Sequence, residues 1–345
     1  TVSNVPGPRQ TLYAAGAELL HIFPVSISTH GIALNITVQS YRDQLDFGFI
    51  AGANIIPHVQ VMCDMLPVEF EALEAAFAGA DVVVHLAFQV LGTTSAATTR
   101  SINVEGTLNA FRATAAAGAR RFVYASSVAA YGFHPDNPPL LTEDWPVRPA
   151  DHFFYAREKA EIELLLDDAR PDHPGLDLYI VRPSIVLGPH TVGAKDVTPA
   201  ALAPFARGLG RLADRVRRLP LPLPVPAPDL GVQFVHEDDV GRALLACVVG
   251  AGPPGAYNLA GDGVLKGADI ARELGLAPVP FPAGPVRAAA GAIAAAPFLP
   301  QAAGWAEALR HPAIMDTTRA KRDLGWRPRY SGREALRATL AGPPA

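Results

Sequence analysis

Cysteine is scarce in this chain. Cys63 and Cys247 are the only two in 345 residues, and they lie far apart. That supports neither a disulfide framework nor a cysteine metal motif, and no metal site is expected. A basic excess is also missing: the net charge is −4, which argues against a nucleic-acid partner. No internal repeat and no signal peptide are visible, so a cytoplasmic location is expected. Long uninterrupted apolar runs are lacking too. Val286 to Trp305 approaches the length of a membrane span, but Pro297 and Pro300 break it and alanine is only mildly apolar. A packed or interfacial helix pair is the expectation there, with membrane-surface contact as the alternative. Finally, Thr1 to Gly79 holds no glycine-rich turn. Val5-Pro-Gly-Pro8 has one glycine between prolines, and the glycines of Ala14-Ala-Gly-Ala17 and Ala51-Gly-Ala53 are isolated. A backbone cradle for a pyrophosphate needs close-set glycines between a strand and a helix, and none occurs in this stretch.

Nearly half the residues are apolar, enough for a sizeable core, and the length allows two domains or one with a lobe. The first segment reads as β structure. Leu19 to Val25 is apolar and extended. Ala33 to Tyr41 and Leu45 to Ile50 alternate in period two, joined by the polar turn Arg42-Asp-Gln44. This is an antiparallel hairpin, not a βαβ unit. From Asp81 the pattern changes. Asp81-Val-Val-Val-His-Leu-Ala-Phe88 reads as a buried parallel strand, with His85 as a structural histidine. A helix follows Ile102-Asn103 and stops at Gly118. Phe122 to Ala125 is a further strand running into Ser126 and Ser127. Val181-Arg-Pro-Ser-Ile-Val-Leu-Gly-Pro189 and Val232 to Val240 each hold another strand. Strand, helix, strand, helix, strand argues a parallel sheet with right-handed crossovers. Arg215 to Pro228, with its alternating prolines, suits an extended connection.

The chemistry gathers at Tyr155-Ala-Arg-Glu-Lys159. A Tyr and a Lys four apart share one helix face. The ammonium is expected to favour the phenolate and lower the tyrosine pKa, so that the phenol moves protons at neutral pH. The spacing alone also fits any exposed helix. Ser126 and Ser127, at a strand exit, could hold a substrate oxygen or merely cap the next element. In the same helix Ile162, Leu164, Leu165 and Leu166 are expected to face inward, with Asp167, Asp168 and Pro171 ending it.

In this order and spacing, the segments from about Leu73 to Leu336 resemble the extended short-chain dehydrogenase/reductase family, the NAD-dependent epimerase/dehydratase group. Asp316 to Pro328 is similar to that family's closing signature. The resemblance implies that Tyr155 is the acid/base, that Lys159 holds the nicotinamide ribose and tunes the tyrosine, and that Ser127 polarises the reacting carbonyl. It implies that Leu86, Ala87 and Phe88 line the cofactor cleft, that Asn103 organises the site, and that Pro183, Ser184 and Ile185 lie near the nicotinamide. The cofactor so implied is NAD or NADP. Residues 1–66 resemble instead the C-terminal end of the bacterial wax ester synthase/diacylglycerol acyltransferase family. The residues that carry this are Ser3-Asn-Val-Pro-Gly-Pro8, Tyr13 to Ala17, Pro24-Val-Ser26 and Ala33 to Tyr41. That family's H-H-x-x-x-D-G motif is absent from this chain.

The expected fold is therefore α/β: an incomplete Rossmann-like parallel sheet with a small substrate lobe, preceded by an antiparallel hairpin segment. The expected domains are 1–66, acyltransferase-like, and 67–345, a reductase without its glycine-rich half, with its lobe in 189–229 and 261–301. The join is expected in the helical run Val68 to Phe77. Thr1 is no initiator methionine, so residues are expected before it. The expected function is an NAD(P)-dependent oxidoreductase or epimerase acting on a secondary alcohol or ketone, of sugar-nucleotide, sterol-like or lipid type. The alternatives are a non-catalytic fusion and an acyltransferase remnant. A small-molecule substrate and a second copy of the chain are the partners expected.

Overall fold

A computed structural model describes residues 2–5, 8, 10–14, 17–22, 34–42, 44–51, 70–89, 96–150, 152–190, 222–295, 306–308 and 310–342. The chain divides into two compact units. One comprises Thr1–Ala78 with Gly92–Ala117, and the other Gly79–Leu91 with Gly118–Ala345.

The first unit holds the expected hairpin. Strands β4 (Leu34–Tyr41) and β5 (Gln44–Ala51) pair antiparallel, with Tyr41 opposite Gln44. Arg42 takes φ 57°, the left-handed turn conformation that matches the twist of a two-residue hairpin. Strand β1 (Val2–Val5) adds to β4 in parallel, a pairing between segments far apart in the chain. Strands β2 (Tyr13–Ala14) and β3 (Ala17–Glu18) form a short antiparallel pair. Leu19 to Ile22, expected to be extended, carries no strand. Its backbone is tied locally instead: Leu19 N–H donates to Leu12 C=O, and Ile22 N–H to the buried Asp46 carboxylate at 2.8 Å. The expectation for residues 23–33 lies outside the described residues. Helix α1 (70–77), α2 (Ala96–Arg100), a π-helical turn (Ser101–Glu105) and α3 (Gly106–Ala116) also belong to this unit. After α3, Gly118 turns at φ 73°, as its helix-stop role requires.

The second unit is built on a parallel sheet. Strands β6 (Val82–His85), β7 (Arg121–Ala125), β8 (Asp177–Pro183) and β12 (Gly255–Leu259) stand in the order β12-β8-β7-β6, every pair parallel. Helix α4 (Phe154–Ala169) connects β7 to β8. Among the described residues, β6 pairs only with β7. Strands β9 (Ile185–Leu187) and β11 (Phe234–His236) form a second parallel pair, and α5 (Glu237–Val249) follows with three acidic residues in its first turn, where the helix dipole favours them. The core between α5 and the sheet holds Val123, Tyr179, Val235, Cys247, Tyr257 and Trp326.

The alternating prolines form a strand rather than a lone extended connection. β10 (Pro224–Pro228) pairs in parallel with β13 (Ala277–Phe281). Pro224, Pro226 and Pro228 share one side of β10, as Pro278 and Pro280 do of β13. The period of two turns every missing N–H away from the shared ladder, as edge prolines must. Helices α6 (Gly267–Glu273), α7 (Ala283–Ala295), α8 (Thr318–Asp323) and α9 (Gly332–Ala341) follow. Residues 191–221 and 296–305, where parts of the expected lobe and helix pair fall, are outside the described residues. No described helix is long and apolar enough to cross a membrane.

Candidate active site

Three parallel strands of the second unit end on the same side of the sheet. β6 runs into Leu86, Ala87 and Phe88, β7 into Ser126 and Ser127, and β8 into Ser184. Strand carboxyl ends are where an open α/β sheet leaves a crevice. Helix α4 brings Tyr155 and Lys159 to these exits.

Lys159 is almost fully buried. Its ammonium donates to the Ala125 carbonyl at 2.7 Å and to the Tyr124 hydroxyl at 3.2 Å. The Phe88 ring lies 4.0 Å from Nζ, the Tyr124 ring 4.8 Å and the Tyr155 ring 5.8 Å. These ring faces replace part of the lost hydration. Burial still dominates and pushes the Lys159 pKa down to about 7, while Glu163 and then Glu158 pull it back up.

Tyr155 is half-buried and meets the Phe88 ring edge-on at 5.2 Å. Its hydroxyl and the Ser127 side chain share a hydrogen bond. Here the structure corrects an expectation: the Tyr155 pKa is raised, not lowered. Burial raises it, and the Ser127 hydrogen bond opposes that rise without overcoming it. Helical spacing brings a Lys near a Tyr but says nothing of desolvation, which here acts on both groups.

The two serines divide their tasks. Ser127 caps the following 3₁₀ turn, accepting from Ala129 N–H at 3.2 Å, and also meets Tyr155. Ser126 donates to the buried Glu163 carboxylate. His85 packs its ring 5.9 Å from Phe122 and 6.1 Å from Tyr124. Burial, and then the Lys159 charge, lower its pKa to about 4, so it is neutral at pH 7.

Helix α4 departs from expectation on its outer face. Leu164 is 47% exposed, whereas Ile162, Glu163 and Leu166 are buried. Tyr155, Lys159 and Glu163 recur every four residues and fix the inward face, so Leu164 is turned about 100° away from Glu163. The helix also continues to Ala169, beyond the expected stop at Asp167.

Of the other residues singled out, Phe88 joins Tyr155 and Lys159 directly. Leu86 and Ala87 are exposed beside it. Pro183 closes β8, Ile185 is half exposed, and Ser184 has a buried hydroxyl with no hydrogen-bond partner in the protein. Asn103 is buried in the π-helical turn of the first unit. Three residues that the spacing argument passed over are Tyr124, Glu163 and Arg182. The signal for Glu163 was available: it continues the Tyr155–Lys159 face by one more turn.

Known proteins resemble this chain in two stretches. Residues 1–74 match the family model described as the WS/DGAT C-terminal domain. Residues 53–260 match that of the NAD dependent epimerase/dehydratase family, so both models claim 53–74. The O-acyltransferase WSD of Acinetobacter baylyi is 46% identical over 77 residues, which are 22% of this chain and 17% of that protein. An uncharacterized protein of Mycobacterium tuberculosis is 28% identical over 259 residues, 74% of this chain and 64% of its own length. The chain thus spans less than two thirds of these curated relatives. UDP-glucose 4-epimerase of Thermotoga maritima, solved with UDP-glucose, superposes with a TM-score of 0.56 at 22% identity, covering 79% of this chain and 80% of that one. That likeness shows a shared Rossmann-type fold. With the epimerase/dehydratase model spanning more than half of it, the chain belongs to the NAD dependent epimerase/dehydratase family.

Proposed function

We propose that the second unit is an NAD(P)-dependent oxidoreductase or epimerase acting on a secondary alcohol or ketone. The observation that carries this reading is the Ser127–Tyr155 hydrogen bond beside the buried Lys159. The site residues in this reading are Ser127, Tyr155 and Lys159 for the chemistry. Leu86, Ala87, Phe88, Pro183, Ser184 and Ile185 serve the cofactor.

The fit to a nicotinamide cofactor differs between its two ends. At the nicotinamide end, the orphaned Ser184 hydroxyl is a free hydrogen-bonding group, and Lys159 is a donor already held in place. At the pyrophosphate end, residues 1–79 carry no glycine-rich turn. When bound, the cofactor supplies the hydride donor or acceptor. The protein's part is the proton. Tyr155 gives it to, or takes it from, the substrate oxygen, and Ser127 holds that oxygen by the hydrogen bond it now makes to Tyr155. Lys159 keeps the phenol beside a positive charge. Phe88 and Phe153, whose rings lie 5.2 and 5.7 Å from that of Tyr155, keep water off the phenol.

The substrate class in this reading is a small molecule bearing a secondary alcohol or ketone, such as a nucleotide-sugar, a sterol-like alcohol or a lipid. The domains are an acyltransferase-like 1–66 and a reductase-like 67–345. The missing glycine-rich turn favours a second reading, a non-catalytic member of the family. Titration of the purified chain with NADH and NADPH, followed by fluorescence, separates the two. Micromolar binding supports the enzyme reading, and no binding supports the second.

A further inference from the structure

A buried polar chain runs behind the Tyr155–Lys159 pair. Glu163, fully buried on α4, accepts from Ser126 Oγ at the exit of β7. It also accepts from Arg182 on β8, from Nε at 3.1 and 3.0 Å and from Nη2 at 2.6 Å. Arg182 continues through Nη1 to the Tyr131 hydroxyl at 2.8 Å, which donates to Asn258 Oδ1 on β12 at 2.8 Å. One carboxylate thus joins the helix that carries Tyr155 to the strand that delivers Ser127 and to the strand that delivers Ser184.

Among the described residues, the groups facing Lys159 are few. From α4 they are Tyr155, Glu158 and Glu163, from β7 Tyr124, and from β6 His85. Glu158 and Glu163 are the two negative charges among them, and the larger influence is that of Glu163.

We propose that Glu163 is a positioning residue for the Tyr155–Lys159 pair: its buried carboxylate ties α4 to the exits of β7 and β8 and sets a negative charge one helical turn from Lys159. This rests on the reading of Tyr155 and Lys159 as the proton-transfer pair. A short hydrogen-bonded frame leaves α4 little freedom to turn about its axis, and such a turn would carry Tyr155 away from Ser127.

The test reads Lys159 directly, without cofactor or substrate. The chain has four lysines, at positions 159, 195, 266 and 321, so ¹³C-lysine NMR gives few signals, and Lys159→Arg identifies the one sought. In the wild type its ε-carbon should titrate near pH 7. In Glu163→Gln, which keeps the shape and loses the charge, the midpoint should fall by about 1 unit or more. Glu163→Leu combined with Arg182→Met removes the buried pair without leaving a lone charge, and guards against misfolding of the single variant. It should lower the midpoint in the same direction. Ser126→Ala keeps the charge and should leave the midpoint in place. An unchanged midpoint in the folded Glu163 variants, or an equal fall in Ser126→Ala, overturns the proposal. Because no turnover is measured, these outcomes stand apart from the fate of the hydride-transfer reading, which Tyr155→Phe decides.

Discussion

The Lys159 ammonium lies 4.0 Å from the centre of the Phe88 ring, and that ring meets Tyr155 edge-on at 5.2 Å. Phe88 therefore touches both members of the pair from the exit of β6. Each contact is modest alone, about 1 kcal/mol for a half-buried ring. Phe88→Leu should cost about 1–2 kcal/mol in urea unfolding of the second unit. A Phe88→Leu variant as stable as the wild type would show that the ring does not support Lys159.

His85 sets an acid limit on stability. Its pKa in the fold is about 4, below its ordinary value of 6.5, so between these pH values the unfolded chain binds more protons than the native one. Stability should then fall as pH drops from 6.5 to 4, by about 2–3 kcal/mol at the lower end. His85→Phe should remove most of this fall, and parallel unfolding curves at pH 7 and pH 4.5 check it. An equal acid fall in both proteins would place the effect elsewhere.

Gly132, directly after Tyr131, has φ 66° and ψ 175°, a conformation that only glycine adopts readily. A Cβ there would also lie 2.4 Å from His134 Nε2 and 2.7 Å from the Arg148 carbonyl oxygen. The carbonyl is backbone and cannot swing aside. Gly132→Ala should cost about 2–4 kcal/mol, read from the shift in denaturation midpoint. Gly241→Ala, where a Cβ would meet nothing within 4 Å, is the matched control and should fold as well as the wild type.

Asp239 secures the closing segment. Fully buried at the start of α5, its carboxylate accepts from Arg329 N–H at 2.9 and 3.0 Å, from Tyr330 N–H at 3.1 Å and from Arg242 at 2.7 Å. Its backbone carbonyl accepts from the Trp326 indole at 2.8 Å. Asp239→Ala strands the Arg329, Tyr330 and Arg242 donors, leaves the Trp326 bond to the backbone, and should cost about 3 kcal/mol. The exposed neighbour Asp238, changed to Ala, should cost less than about 1 kcal/mol. Equal losses would mean that the turn is held by backbone alone.

Much of this architecture is legible in the sequence. The valine run of β6, the exit of β7 into two serines and the alternation of β4 and β5 are local patterns, and the structure has those elements, although Val84 of β6 is 37% exposed where a buried strand is expected. Residues 1–74 and 53–260 match models of the two families that the sequence resembles. Less legible is what depends on burial or on distant partners. The Tyr155 pKa goes up because desolvation outweighs what four-residue spacing implies. Leu164 faces out because Glu163, not an aliphatic residue, takes the inward position beside Arg182. The parallel pairing of β1 with β4 joins residues more than thirty apart, with no local signal to announce it.

The most direct measurement compares the wild type with Tyr155→Phe in deuteride transfer from 4-deuterated NADH and NADPH to a panel of secondary ketones, nucleotide-sugar ketones included. Cofactor fluorescence in the same samples reads binding. Tyr155 as the proton-transfer group predicts that the variant binds cofactor as the wild type does and transfers deuteride at least about 100-fold more slowly. Equal transfer by the two proteins would contradict it.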